Sequence, residues 1–393
     1  MAVSKKVHGF ISQSSWIRKM FEEGLRLKKE FGAENVFDFS LGNPNVAPPG
    51  RFRETLVKIA QEDGPGIHGY MSNAGFQETR EAVAETITRE HGILLGAEHV
   101  VMTCGAAGGL NVLFKVLLDP GDEVLVPTPC FMEYRFYVDN AGGVIRFAAT
   151  KPDFSLDLHA LNEAITEKTK VVLVNFPNNP TGRVYDEASI KYLAALIEEK
   201  GQAYGKEIYL ASDEPYRDIV YDSVKVPSIL ANYKHSVIAN SYSKSLSLPG
   251  ERIGYLAVNP AISDIEEVMG GLVMYNRVLG FVNAPALMQR VVARMQDEKV
   301  NVTEYKRKRD LLCDGLSSAG YELARPEGAF YLFLRSPIED DIEFVKALQK
   351  RKILVVPGSG FGGPGYIRIA YCVDDATILN AMEGFKQTLA EYA

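Results

Sequence analysis

Short apolar runs alternate with helical patterns through the middle of the chain, and this alternation most constrains its fold. The strand-like runs are 100–104, 123–126, 170–174, 207–211 and 237–239, and the helical patterns between them include 108–118 and 186–200. Several runs are apolar at every position, which is typical of strands covered by helices on both faces. The pattern predicts an α/β fold with a mainly parallel central sheet flanked by helices.

The C-terminal third has a different pattern. It contains a long helical pattern at 284–316, strand-like runs at 329–334, 353–356 and 366–370, and helical patterns at 342–350 and 375–390. This mixture predicts a smaller α+β domain. An amphipathic helix is predicted near Trp16–Phe31, with an apolar run at 36–41. A length of 393 residues also favours two domains, because single hydrophobic cores stop growing at roughly 250–300 residues.

Composition excludes several function classes. The 43 Lys and Arg against 50 Asp and Glu give a net charge of −7, which disfavours nucleic-acid binding. The four cysteines have neither CxxC nor metal-ligand spacing, and the six histidines form no HExxH motif, so no metal site is predicted. Without an apolar stretch long enough for a membrane or signal segment, we expect a cytoplasmic protein. The sequon at Asn301 is interpreted as a chance match.

A glycine-rich motif at 358–363 matches GxGxxG after a predicted strand. A dinucleotide-binding fingerprint requires a helix directly after the glycines, so that the helix N-terminus meets the pyrophosphate. The next run, 366–370, is strand-like instead. We therefore interpret 358–363 as a loop and not as a nucleotide site.

Four segments with chemically useful residues follow predicted strands. They are 104–109 (CGAAGG), 174–182 (VNFPNNPTG), 212–216 (SDEPY) and 240–247 (NSYSKSLS), the last followed by Arg252. Strand ends in α/β sheets form ligand sites, and small residues at a helix N-terminus favour an anion such as phosphate.

Each segment alone has a simpler explanation. Lys244 could be a solvated surface lysine, 174–182 a plain turn and Asp213 a helix N-cap. The small residues at 104–109 could serve only close packing. Together, however, they assemble a lysine, a carboxylate, an amide, a phenol and a phosphate cradle at one sheet edge.

This set resembles the class I and II pyridoxal-phosphate-dependent aminotransferases, the fold-type I family. The most specific matches are Asn-Asn-Pro-Thr-Gly at 178–182, Asp-Glu-Pro-Tyr at 213–216 and Ser-x-x-Lys at 241–244 with Arg252. The resemblance extends from 41–44 to 368–370, and the motifs occur in the family's order. It implies a large pyridoxal 5′-phosphate (PLP) domain at 46–283 and a discontinuous small domain of 1–45 plus 284–393.

The resemblance also implies roles for the residues around the cofactor ring. Lys244 would form the Schiff base and move the proton between the substrate Cα and the cofactor. Asp213 would pair with the pyridine nitrogen and keep it protonated. Tyr216 and Asn179 would hydrogen-bond the phenolic oxygen, and Phe131 would stack on the ring, where the family more often has Trp or Tyr.

The phosphate and the substrate have implied partners as well. The phosphate would meet Gly105, Ala106 and Ala107 amides, the Ser241 hydroxyl, the Arg252 guanidinium and the partner subunit's Tyr70 in a homodimer with shared sites. This chain has alanines where many relatives use a hydroxyl, and Tyr70 alone would be an ordinary loop aromatic. Arg368 would bind the α-carboxylate bidentately, although alone it could be an edge-strand arginine in a surface ion pair. Gly42 and Asn43 would belong to a loop that closes over the substrate.

The side-chain pocket remains open at this point. Arg277 lies about one residue out of register with a segment that binds a distal carboxylate in some relatives. Trp16, Phe21 and Tyr275 could line an aromatic or aliphatic pocket or belong to the core.

The implied function is a ping-pong aminotransferase that moves the amino group of an L-amino acid to a 2-oxo acid. Two alternatives stay open. A PLP-dependent lyase or decarboxylase would share every cofactor contact. A PLP-sensing regulator would need a DNA-binding domain, and only about 40 residues precede the 41–44 match.

Overall fold

The predicted strands form a central sheet in the computed structural model, which describes residues 2–12, 16–62, 64 and 66–392. The strands are β1 (Phe37–Asp38), β2 (Val100–Thr103), β3 (Glu123–Thr128), β4 (Val144–Ala149), β5 (Thr169–Asn175), β6 (Tyr209–Asp213), β7 (Ser236–Ser241), β8 (Gly254–Val258), β9 (Tyr331–Arg335), β10 (Ile353–Leu354), β11 (Val356–Pro357) and β12 (Tyr366–Ala370).

Helices surround these strands. They are α1 (Lys5–Ser12), α2 (Trp16–Phe31), α3 (Arg51–Gln61), α4 (Gln77–His91), α5 (Gly105–Leu117), α6 (Tyr134–Ala141), α7 (Leu158–Ala164), α8 (Glu187–Tyr204), α9 (Ile229–Asn232), α10 (Tyr242–Ser245), α11 (Ile265–Val278), α12 (Ala286–Ala293), α13 (Val302–Ser318), α14 (Asp341–Lys350) and α15 (Asp375–Ala390). The helices predicted near Trp16–Phe31 and 375–390 are confirmed at those bounds.

The main sheet of the described chain has seven strands in the order β2-β8-β7-β6-β5-β3-β4. Only β8 runs antiparallel to its neighbours, so the prediction of a mainly parallel sheet is confirmed. Asp213 at the end of β6 pairs in register with Asn175 at the end of β5, and Ser241 ends β7 on the same edge. The carboxyl ends of these three parallel strands therefore lie at one edge of the sheet, and the three predicted segments that follow them lie close together.

The prediction of a single helix over 284–316 is wrong. The chain forms two helices, α12 and α13, separated by residues 294–301. Asn301 caps the second helix, because its side chain accepts a hydrogen bond from the Thr303 amide. The two helices pack on different neighbours, α12 on α3 and α4, and α13 on α15. The sequon at Asn301 thus coincides with a helix cap.

Two smaller sheets lie in the C-terminal region. Strands β11, β12 and β9 form an antiparallel sheet, and β1 pairs in parallel with β10. The glycine-rich 358–363 segment forms a 3₁₀ turn, Gly358–Phe361, and β12 follows it instead of a helix. The loop interpretation of this motif is confirmed.

Separate apolar clusters accompany these sheets. The cluster on one face of the main sheet contains Met288, Val291 and Met295 from the chain around α12. A second cluster joins Met20 and Phe39 from the N-terminal region to β9, β12, α13 and α15. No helix in the described part of the chain is long and apolar enough to cross a membrane.

Candidate active site

A cavity of about 540 Å³ lies at the carboxyl edge of β5, β6 and β7. Most of the predicted site residues line it, namely Gly42, Ala106, Ala107, Phe131, Asn179, Asp213, Tyr216, Ser241, Lys244, Arg252 and Arg368. These residues come from distant parts of the chain. The fold therefore brings together in one cavity residues that are separated by more than 300 positions in the sequence.

Lys244 lies on the short helix α10, directly after β7. Its Nζ donates a hydrogen bond to the Gly42 carbonyl at 2.8 Å and lies 5.3 Å from the centroid of the Phe330 ring. The pKa of Lys244 is lowered to about 8, chiefly by burial; the Cys372 charge opposes this shift, and the nearby Arg368 and Arg252 contribute to it. The amine is therefore substantially more available as a neutral nucleophile than a surface lysine.

Asp213 is buried at the end of β6. The Tyr134 hydroxyl donates to its Oδ2 at 2.6 Å, whereas Oδ1 has no hydrogen-bond partner among the described residues. Burial raises the pKa of Asp213 to about 7, while the Tyr134 hydrogen bond lowers it and the Glu214 charge raises it. An unpartnered buried carboxylate oxygen is costly, so its presence indicates a place for a cationic or N–H ligand group.

The N-terminus of α5 forms a second part of the cavity. Residues 105–107 lie in its first turn, where backbone amides have no partner within the helix. Gly105 has a φ of +73°, and a Cβ there would lie 2.8 Å from Arg252 Nη2. Glycine thus permits both the turn and the close approach of the guanidinium. The positive end of a helix beside an arginine suits a phosphate.

Arg368 lies on β12 and is only 1% exposed. Its Nη1 donates to Asn179 Oδ1 at 3.1 Å and its Nη2 to the Ser40 carbonyl at 2.5 Å. Its guanidinium carbon lies 4.5 Å from the centroid of the Tyr331 ring. Nε has no hydrogen-bond partner within the described chain. A buried arginine remains charged, so this guanidinium is suited to a carboxylate ligand.

Two tyrosines, Tyr216 and Tyr331, lie between the surroundings of Lys244 and those of Arg368. The Tyr216 and Tyr331 hydroxyls are 2.9 Å apart, and a Cβ at Gly42 would lie 1.8 Å from the Tyr331 hydroxyl oxygen. Only glycine therefore fits where the Gly42 carbonyl meets Lys244. Sequence reasoning missed Tyr331 and Tyr134, because a single tyrosine in a strand or helix has no motif. The signal for Tyr134 is its position three residues after Phe131, on the segment that follows β3.

Several predicted residues lie outside the described lining of the cavity. Gly105 lies next to Arg252, and Asn43, Tyr70 and Arg277 are exposed. Tyr70 is 93% exposed in one chain. Of the three aromatic residues with an open role, Phe21 lines the cavity, whereas Trp16 and Tyr275 pack against apolar clusters.

Comparisons with known proteins define the class. The family model described as aminotransferase class I and II matches residues 34–385, so the chain belongs to the class I and II aminotransferases. A probable aspartate/prephenate aminotransferase of Thermus aquaticus is 36% identical, with 88% of this chain and 90% of that protein covered. A probable aspartate aminotransferase of Methanocaldococcus jannaschii is 30% identical, with 95% and 99% covered.

Solved structures agree with this membership. An amino transferase from Eubacterium rectale superposes with a TM-score of 0.96 at 39% identity, covering 100% of this chain and 99% of that one. An aspartate aminotransferase from Thermus thermophilus with maleate has a TM-score of 0.86 at 29% identity, covering 98% and 99%. The chain has the fold of the PLP-dependent transferases of fold type I and is a PLP-dependent aminotransferase.

The residues present fit PLP. The Asp213 Oδ1, which has no partner among the described residues, suits a protonated ring nitrogen, and the α5 N-terminus with Arg252 suits the phosphate. Lys244 lines the same cavity. The described residues contain no group of His, Cys, Asp and Glu that could hold a metal ion.

Proposed function

We propose that this cavity is the active site and that Lys244 attaches covalently to the PLP aldehyde as its Schiff base. The observation that carries the proposal is the convergence of a buried amine with a lowered pKa and a buried carboxylate with one free oxygen. Buried ionisable groups with shifted pKa values that line one cavity are typical of functional sites. The reaction would be ping-pong transfer of an amino group from an L-amino acid to a 2-oxo acid.

Each part of the cofactor has a partner in this arrangement. Asp213 would hold the pyridine nitrogen, with Phe131 stacked on the ring and Tyr216 and Asn179 near the phenolic oxygen. The phosphate would be held by Gly105, Ala106 and Ala107 amides, Ser241, Arg252 and the partner subunit's Tyr70. When bound, PLP supplies an electron sink that stabilises the charge left on the substrate Cα after proton removal.

The chain's own residues do the binding and the proton transfer. Arg368 would hold the substrate α-carboxylate, and its hydrogen bonds to Asn179 and to the Ser40 carbonyl orient the guanidinium. The Lys244 amine, once neutral, accepts the Cα proton and returns it. The loop at Gly42 and the helix α2, which both line the cavity, would exclude water around this transfer.

The central test is Lys244→Ala. We expect loss of amino transfer to 2-oxoglutarate and pyruvate and loss of the absorption band of covalently attached PLP. Lys308→Ala is the matched control, because Lys308 is also buried, its pKa is also lowered by burial, and it lies outside the cavity lining. Retained band and full turnover in Lys244→Ala would refute the assignment.

A donor panel completes this experiment. The relatives are named for aspartate, prephenate and, in Thermococcus litoralis, aromatic amino acids, so these compounds form the panel. Release of a 2-oxo acid with stoichiometric formation of a second amino acid separates amino transfer from a lyase or decarboxylase reaction. We also propose a cytoplasmic homodimer, supported by four free cysteines and the exposed Tyr70.

A further inference from the structure

The described lining of the cavity contains four cationic side chains, and the proposed function uses three of them. Lys244, Arg252 and Arg368 are assigned to the cofactor aldehyde, the phosphate and the substrate α-carboxylate. The fourth is Arg18 on α2. A cation that faces a substrate cavity and serves no cofactor group is a candidate for substrate selection.

The surroundings of Arg18 leave it available for a ligand. Its side chain is 75% exposed, and its Nε donates to Glu22 Oε1 at 2.9 Å, one turn along the helix. Its two terminal nitrogens make no hydrogen bond within the described part of the chain. Ile17 and Phe21 on the same helix also line the cavity, so Arg18 lies at the mouth, whereas Arg368 is fully buried.

Arg18 belongs to a segment that is rich in cations. Residues 1–31 contain seven Lys and Arg but three Glu, in a chain whose net charge is −7. Two acidic residues, Glu133 and Asp213, also line the cavity. Of the described cations in residues 1–31, Arg18 is the one that lines the cavity.

We propose that Arg18 binds the side-chain carboxylate of the substrate, so that this enzyme prefers dicarboxylic amino acids and 2-oxo acids. The inference rests on the proposed function, because it takes Arg368 as the α-carboxylate site. The free edge of the guanidinium can bind a carboxylate through two parallel hydrogen bonds. The exposed pair with Glu22 contributes little and yields easily.

Arg277, the sequence-based candidate for this role, is exposed on α11 and lies outside the described lining. Within one chain it therefore does not line the substrate cavity. The test includes it as the rival arginine.

The test measures ligand binding to the PLP-loaded enzyme with succinate, a dicarboxylate that cannot react, and butyrate, which lacks the second carboxylate. We expect Arg18→Met to weaken succinate binding by about tenfold to a hundredfold, the usual loss for a hydrogen bond to a charged group, and to leave butyrate binding unchanged. Arg18→Lys should retain part of the preference, because it keeps the charge but not the fork.

Lys19→Met is the matched control. It removes the same charge from the same helix, but Lys19 lies over the Trp16 ring at 5.0 Å and does not line the cavity. We expect succinate and butyrate to bind Lys19→Met with the same affinity as the wild type. A loss of succinate binding equal to that of Arg18→Met would show a general charge effect and overturn the assignment.

Other outcomes are equally decisive. The assignment fails if Arg18→Met weakens both ligands equally, if it weakens neither, or if Arg277→Met alone removes the preference. Wild-type enzyme that transaminates leucine as well as aspartate overturns this inference and leaves the proposed function standing. Absence of any amino transfer contradicts the proposed function, and succinate binding still decides the role of Arg18.

Discussion

Burial acts on the two central ionisable residues in the same way. It disfavours the charged form of each, which lowers the pKa of Lys244 to about 8 and raises that of Asp213 to about 7. Both groups therefore titrate near neutral pH in the free protein. The sequence motifs predicted that these residues meet, but not how strongly the fold shifts them, because burial depends on neighbours such as Tyr134 and Phe330.

Tyr134→Phe should weaken PLP binding by about 1.5–3 kcal/mol, because a hydrogen bond to a buried carboxylate is lost. The Tyr134 hydroxyl lowers the pKa of Asp213, so its removal raises that pKa. Asp213 is ionised above its pKa. Titration of the wild-type apoenzyme with PLP should therefore show an affinity that increases as the pH rises through about 7. In the variant, the same increase in affinity should occur at a higher pH.

Tyr137→Phe is the control for Tyr134→Phe. Tyr137 also lines the cavity and packs edge-on against Tyr134 at 6.4 Å, and its hydroxyl makes no hydrogen bond to Asp213. The pH midpoint for PLP binding to Tyr137→Phe should equal that of the wild type. An unshifted midpoint in Tyr134→Phe would show that Asp213 does not depend on that hydroxyl.

At the scale of elements, strands were predictable and helix continuity was not. The apolar runs predicted β5, β6 and β7 because buried parallel strands have a strong local signal. The break between α12 and α13 has no Gly or Pro to announce it, and it arises because the two helices pack on different neighbours. The one available signal was Asn301 with Glu304, a cap followed by an acid at the third helical position.

Two adjacent glycines on α11 give a matched pair of substitutions. A Cβ at Gly271 would lie 2.8 Å from Val116 Cγ1 on α5, whereas a Cβ at Gly270 meets nothing within 4 Å. We expect Gly270→Ala to stabilise the apoenzyme by about 0.5–1 kcal/mol through helix propensity. Gly271→Ala should destabilise it by about 1–3 kcal/mol through overpacking against α5.

Thermal unfolding of the two alanine variants measures this difference. Since α5 begins at the proposed phosphate cradle, Gly271→Ala should also weaken PLP binding, and Gly270→Ala should not. Equal melting temperatures for the two variants would mean that α5 and α11 accommodate the added methyl group without loss of stability.

At the scale of the molecule, the apolar clusters support a division into two domains. Because Met288, Val291 and Met295 pack in the main-sheet cluster, we propose that the large domain extends to about residue 295. The small domain would then begin near Val300, which joins Met20 and Phe39 in the second cluster. The boundary at 283, which the family resemblance implied, coincides with the start of the single helix predicted over 284–316.

The proposed dimer makes a prediction about hybrid enzymes. If the partner subunit's Tyr70 contacts the phosphate, Tyr70→Ala and Lys244→Ala each damage a different half of one shared site. A hybrid dimer with one chain of each kind would then contain one site with both defects and one site with neither. We expect both parent homodimers to be impaired and the purified hybrid to recover about half of the wild-type activity per dimer, because the intact site is independent of the damaged one.

The opposite geometry gives a different result. If Tyr70 served the site of its own chain, each site of the hybrid would carry one defect, and mixing the chains would restore nothing. The side chain is 93% exposed in one chain, so a neighbouring subunit can contact it. Recovery in the hybrid, measured against each parent at equal PLP saturation, therefore assigns Tyr70 to the neighbouring site, and absence of recovery refutes that assignment.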